Sequence, residues 1–145
     1  MGAVKLKRLT WLVAVMVLLG SFFQAHGGQK TAAQYITQGQ EFLKAKKNDQ
    51  AVASFTEALE LNPKSLQALN NRGIAYCRQG YFDKAIADFS QVIQMDPNYG
   101  KAYNNRAVAL WYKGERQKAI EDLKKAENLG IKLDKKAWGG LYSHP

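Results

Sequence analysis

Residues 66–99 read LQALNNRGIAYCRQGYFDKAIADFSQVIQMDPNY, and residues 100–133 read GKAYNNRAVALWYKGERQKAIEDLKKAENLGIKL. Laid over one another without a gap, the two stretches share ten residues. Ala68, Asn70, Asn71, Arg72, Ala75, Gly80, Lys84, Ala85, Ile86 and Asp88 recur as Ala102, Asn104, Asn105, Arg106, Ala109, Gly114, Lys118, Ala119, Ile120 and Asp122. Chance does not produce that many matches in one register, and a fixed period of 34 residues marks stacked helical units. The period runs back into residues 32–65: Ala51, Ala85 and Ala119 are equally spaced, and each has Phe55, Phe89 or Leu123 four positions later.

Each unit reads as two helices, A and B. In residues 66–99, Leu69, Gly73 and Tyr76 fall at helical spacing on helix A. Gly80 suits its C-terminal cap because glycine tolerates positive φ. Ala85, Ile86, Phe89, Val92 and Ile93 make one apolar face of helix B. Pro97 ends that helix, as Pro63 does one unit earlier. Gly73 and Ala85 are small enough for A and B to approach closely, with Tyr76 and Phe89 filling the space between them. Arg72 and Asp88 lie sixteen residues apart, as do Arg106 and Asp122, whereas the first unit has Gln38 and Ser54 there. Both charges come and go together, which predicts an Arg–carboxylate pair from helix A to helix B in units two and three.

This pattern resembles the tetratricopeptide repeat. The aromatic, small, aromatic, Ala, aromatic, Ala, Pro series of that family appears as Tyr35, Gly39, Phe42, Ala51, Phe55, Ala58 and Pro63. It reappears as Leu69, Gly73, Tyr76, Ala85, Phe89, Val92 and Pro97, and then as Tyr103, Ala107, Leu110, Ala119, Leu123 and Ala126, with Ile131 at the proline position. Lys46 replaces the turn glycine of the first unit. The expected fold is all-α: a right-handed superhelical solenoid of repeats at 32–65, 66–99 and 100–133, with a weak C-terminal cap.

The resemblance implies a concave groove lined by the A helices. Its expected peptide-binding residues are Ile36, Gln40, Leu43 and Lys44 from the first repeat. The second supplies Gln67, Asn70, Asn71, Ile74, Cys77 and Arg78, and the third Lys101, Asn104, Asn105, Val108, Trp111 and Tyr112. Amides both donate and accept, so the asparagines could hold a peptide backbone in register. Trp111 and Tyr112 could anchor side chains, and Lys44, Arg78 and Lys101 could meet a carboxylate. One subfamily clamps the acidic tail of cytosolic heat-shock chaperones through five polar positions. Only Asn71 and Lys101 match; Ile36, Gln40 and Asn105 stand where Lys, Asn and Arg are expected.

Residues 1–27 precede the repeats, with residues 28–31 as a linker. Lys5, Lys7 and Arg8 are followed by an apolar run over 9–23 and by Ala25-His26-Gly27, the layout of a secretory signal peptide. The run is shorter than the roughly 20 residues of a comfortable bilayer span, although retention as an anchor is the alternative. The expected location is therefore the periplasm or beyond, or else the inner membrane facing the periplasm. Removing this segment takes 3 of 21 basic residues and none of 12 acidic ones, so the net charge falls from +9 to 18 − 12 = +6. The remaining cations alternate with acids along the chain, as on solvated helix faces, and argue against a nucleic-acid partner.

Cys77 is the only cysteine, so no intramolecular disulfide forms, and it reads as a small hydrophobe. His26 and His144 are the only histidines. No metal-ligand spacing, phosphate loop or nucleophile elbow is present. Glu57, Glu60, Glu121 and Glu127 fall on the B helices as solvated charges. The sequence therefore predicts no cofactor, no metal and no catalysis, and a partner that is another protein or an extended peptide. In residues 134–145, Ala137, Trp138, Leu141 and Tyr142 could cover the last repeat, but Gly139-Gly140 would interrupt a helix. An exposed Trp138 and Tyr142 would favour weak self-association.

Overall fold

A computed structural model describes residues 30–133 of the chain. These residues form six α-helices: α1 (Ala32–Lys44), α2 (Asn48–Leu61), α3 (Leu66–Gln79), α4 (Phe82–Met95), α5 (Gly100–Lys113) and α6 (Arg116–Asn128). No strand occurs among the described residues. The pairs α1–α2, α3–α4 and α5–α6 are the three helix–turn–helix units, and successive pairs stack so that the A helices α1, α3 and α5 line up along one side. The expected repeat solenoid is the observed fold. The leader or anchor over residues 1–27, the linker before Lys30 and the aromatic tail over 134–145 lie outside the described residues.

Close contact inside each unit rests on an A-helix residue and the ring or branch sixteen positions later. A β-carbon placed on Gly39 would lie 2.6 Å from the Phe55 ring, and one on Gly73 would lie 2.6 Å from the Phe89 ring. Phe55 and Phe89 are fully buried. The third unit uses Ala107 with Leu123 instead, both buried in the core between α5 and α6. Removing the glycine and shortening the partner occur together.

The Arg–carboxylate pairs form as expected. Arg72 donates Nε and Nη2 to the two carboxylate oxygens of Asp88 at 2.9 and 2.8 Å, and Arg106 does the same to Asp122 at 2.7 Å for both bonds. Each arginine also reaches the preceding unit: Arg72 Nη1 donates to Thr56 Oγ1 and Arg106 Nη1 to Ser90 Oγ. The bidentate fork therefore ties A to B within a repeat and one repeat to the next. Hydrogen bonding to Asp88 and Asp122 pushes both guanidinium pKa values further up.

All three A–B turns close with the same backbone bond: Lys47 N–H to the Phe42 carbonyl, Tyr81 to Tyr76 and Glu115 to Leu110, each at 2.9 Å. Gly80 and Gly114 take φ of 80° and 89° to allow it, and Lys46 takes φ of 58° at the equivalent place. The substitution in the first repeat thus keeps the turn at the expense of backbone strain. At the other edge, Asn62-Pro63 and Asp96-Pro97 end α2 and α4. After α6 the exit differs: Gly130 adopts φ of 84°, and the Ile131 N–H bonds back to the Ala126 carbonyl.

Candidate functional site

A recess of about 400 Å³ lies on the A-helix side. Its walls are Gln40 from α1, Gln67, Asn70, Asn71 and Ile74 from α3, and Lys101, Asn104 and Asn105 from α5, with Tyr99 and Ile131 closing one end. Eight of the sixteen residues expected in the groove meet here: Gln40, Gln67, Asn70, Asn71, Ile74, Lys101, Asn104 and Asn105. The helical period causes this, because residues 34 apart occupy equivalent places on neighbouring A helices.

The asparagines do not play equal parts. Asn105 Nδ2 donates to Asn70 Oδ1 at 3.0 Å, joining α5 to α3, and Asn70 is buried. One repeat earlier the same two places hold Asn71 and Ile36. Ile36 has no oxygen to offer, and Asn71 Nδ2 is a buried donor with no hydrogen-bond partner among the described residues. Asn70 and Asn105 therefore bind each other, whereas the half-buried Asn71 and Asn104 line the recess outside that pair. Lys101 is exposed and is the sole cation of the recess.

The other expected residues lie elsewhere. Ile36 and Leu43 are buried in the core of the first repeats, 9% and 8% exposed. Val108 is half-buried. Trp111 is half-buried against the core of the third repeat, with the Arg116 guanidinium 5.1 Å from its ring centre. Lys44, Arg78 and Tyr112 sit at the ends of α1, α3 and α5, at the A–B turns. There Arg78 Nη1 donates to the Leu43 carbonyl at 2.6 Å, and Tyr112 stacks on Phe82 with ring centres 5.5 Å apart. Tyr99 and Ile131 were not expected, because both lie outside the A helices. The isoleucine at a proline position was the signal that could have revealed the second.

Cys77 is half-buried, and burial pushes its thiol up to about 11, far from the range of a reactive thiolate. No group of three His, Cys, Asp or Glu side chains that could hold a metal occurs among the described residues. Nor is any described helix long and apolar enough to cross a membrane. Glu57, Glu60, Glu121 and Glu127 are exposed on the B helices.

A family model for the tetratricopeptide repeat matches residues 36–99 and again residues 75–134. The chain belongs to the tetratricopeptide repeat family. No curated protein matches it. Among solved structures, the TPR domain of Arabidopsis OM64 aligns with a TM-score of 0.74 at 26% identity, covering 79% of this chain and 96% of that one. The TPR2B domain of yeast Sti1, solved as a complex with pHsp70, aligns at 0.66 with 28% identity, covering 75% and 84%. The second TPR of Spaghetti (RPAP3), bound to the HSP90 peptide SRMEEVD, aligns at 0.67 with 25% identity, covering 69% and 93%. Members of this family that bind peptides or partner proteins are thus similar in fold to this chain.

Proposed function

We propose that this tetratricopeptide protein is exported and holds an extended segment of a partner protein in its concave recess, as an adaptor or assembly factor of the cell envelope. The observation that carries the reading is the recess between α1, α3 and α5, walled by the amides of Gln40, Gln67, Asn71 and Asn104. An extended peptide presents alternating carbonyls and N–H groups, and the side-chain amides of Gln40, Gln67, Asn71 and Asn104 can serve either. Ile74, Tyr99 and Ile131 supply apolar cover, and Lys101 can meet one carboxylate. With a single cation, and Asn105 already committed to Asn70, the recess does not favour the acidic peptide seen on the Spaghetti domain. Three repeats present little surface, so the expected affinity is modest. No catalytic step is assigned.

The experiment is a pair of substitutions, Asn71→Ala with Asn104→Ala. Heptapeptides selected on the wild-type protein from a random display library should bind this variant at least tenfold more weakly, about 1.4 kcal/mol, while its melt is unchanged. Equal binding would reject the recess as the site. Export is supported by the basic, apolar and small-residue order of residues 1–27, and its test is N-terminal sequencing of the protein from the envelope fraction. A first residue of Gly28 supports a cleaved leader. A first residue of Met1 points instead to a membrane-anchored subunit with residues 9–23 retained.

A further inference from the structure

The three A–B turns form one edge of the solenoid. Arg78 bonds to the Leu43 carbonyl, the Gln79 amide donates to Asp49, Phe82 stacks with Tyr112, and Lys113 Nζ lies 2.7 Å from Asp83. These contacts set residues 44–50, 78–84 and 112–118 side by side. Together the three segments hold eight basic residues and only three acidic ones, Asp49, Asp83 and Glu115, for a net charge of 8 − 3 = +5. The rest of residues 31–133 holds seven basic and eight acidic residues, 7 − 8 = −1. Along the chain the cations alternate with acids and read as ordinary solvated helices. Folding gathers the whole positive excess of these repeats onto one edge.

The chemistry of that edge narrows its partner. Only two of its eight cations are arginines, and both are held to the protein: Arg78 donates Nη1 to the Leu43 carbonyl, and Arg116 lies over the Trp111 ring. The other six cations are lysines, which act as point charges, and Lys44, Lys46 and Lys47 are exposed. Tyr81 and Tyr112 are 53% and 68% exposed among them, and Lys84 Nζ sits 5.0 Å from the Tyr81 ring centre. Diffuse lysine charge interleaved with exposed tyrosine rings suits a headgroup layer: the rings lodge at the interface, and the charges respond to its negative potential.

We propose that the A–B turn edge docks on a bilayer surface carrying anionic lipid headgroups. No residue is shared between this edge and the recess, so a docked protein keeps its recess open to a partner.

The test uses the full chain, sedimented with vesicles of phosphatidylcholine alone or with about a third phosphatidylglycerol, at about 0.1 M salt. Two variants carry the same change in net charge: Lys46→Glu, Lys47→Glu, Lys84→Glu on the edge, and Lys64→Glu, Lys124→Glu, Lys125→Glu away from it. Residues 1–29 are common to both, so their difference reports the edge alone. The expected result is a preference for phosphatidylglycerol vesicles that falls at least tenfold in the edge variant and less than threefold in the other. An equal fall in both variants, or none in the edge variant, would overturn the proposal. So would edge-dependent binding of a double-stranded oligonucleotide with no edge-dependent binding of vesicles. If the edge variant melts early, Lys46→Gln with Lys47→Gln is read by the same ratio, with a threefold fall expected and no fall counting against the edge.

Discussion

Gly73→Ala is expected to destabilise the protein, although alanine is the better helix former. In an unconstrained helix interior the change stabilises by about 1 kcal/mol. Here the new methyl would stand 2.6, 2.8 and 3.0 Å from three atoms of the Phe89 ring, which has no exposed surface and no room to turn away. Overpacking of this kind costs typically about 1–3 kcal/mol, against which the propensity gain is set. The net loss should be about 1 kcal/mol, a fall in melting temperature of roughly 4–8 °C for a domain of this size. Phe89→Leu alone leaves a cavity and is expected to cost about 1–2 kcal/mol. The double variant reproduces the Ala107–Leu123 pairing of the third repeat. It should therefore be more stable than the sum of the single changes by about 1–2 kcal/mol. Urea or thermal unfolding of the four proteins in the cycle measures this. A Gly73→Ala protein at least as stable as wild type, or single effects that simply add, would refute the steric reasoning.

Removing the fork by Arg72→Ala leaves the buried Asp88 carboxylate without its partner and also releases Thr56; a loss of about 2–3 kcal/mol is expected by chemical denaturation. Lys46→Gly relieves a non-glycine residue at φ of 58° and should raise stability by about 0.5–1 kcal/mol, read as a higher melting temperature. Cys77, with its thiol held up to about 11, should react with a disulfide reagent at pH 8 roughly 100-fold more slowly than an exposed cysteine. The native-state rate should rise about tenfold per pH unit towards that value, since thiolate is the reacting form.

The period made most of the fold legible. Register alone put Gly73 and Phe89 at the A–B interface and Arg72 on Asp88, and the structure adds that Gly73 faces the Phe89 ring, since residues sixteen apart on facing helices meet wherever the hairpin geometry repeats. The recess was legible only in part. Helix A positions pointed to Gln40, Asn71, Lys101 and Asn104. They did not separate these from Ile36 and Leu43, whose side chains turn into the core, or from Lys44, Arg78 and Tyr112, which ride the last turn of each helix out to the edge. That distinction depends on where each helix stops. Nor could register show that Asn70 and Asn105 satisfy one another, since the bond joins residues 35 apart in neighbouring repeats, one off the 34-residue period. Charge was misleading for the same reason: alternation along the chain says nothing about which turns become neighbours in space.

The central claim is that the recess between α1, α3 and α5 is the peptide-binding surface. Its most direct test is backbone and side-chain amide chemical-shift mapping during titration with a heptapeptide selected on the wild-type protein. The account predicts shifts concentrated at Gln40, Gln67, Asn71, Lys101 and Asn104, with Glu57, Glu60 and Glu121 on the B helices unmoved. Shifts concentrated on the B helices, with the recess amides silent, would contradict it.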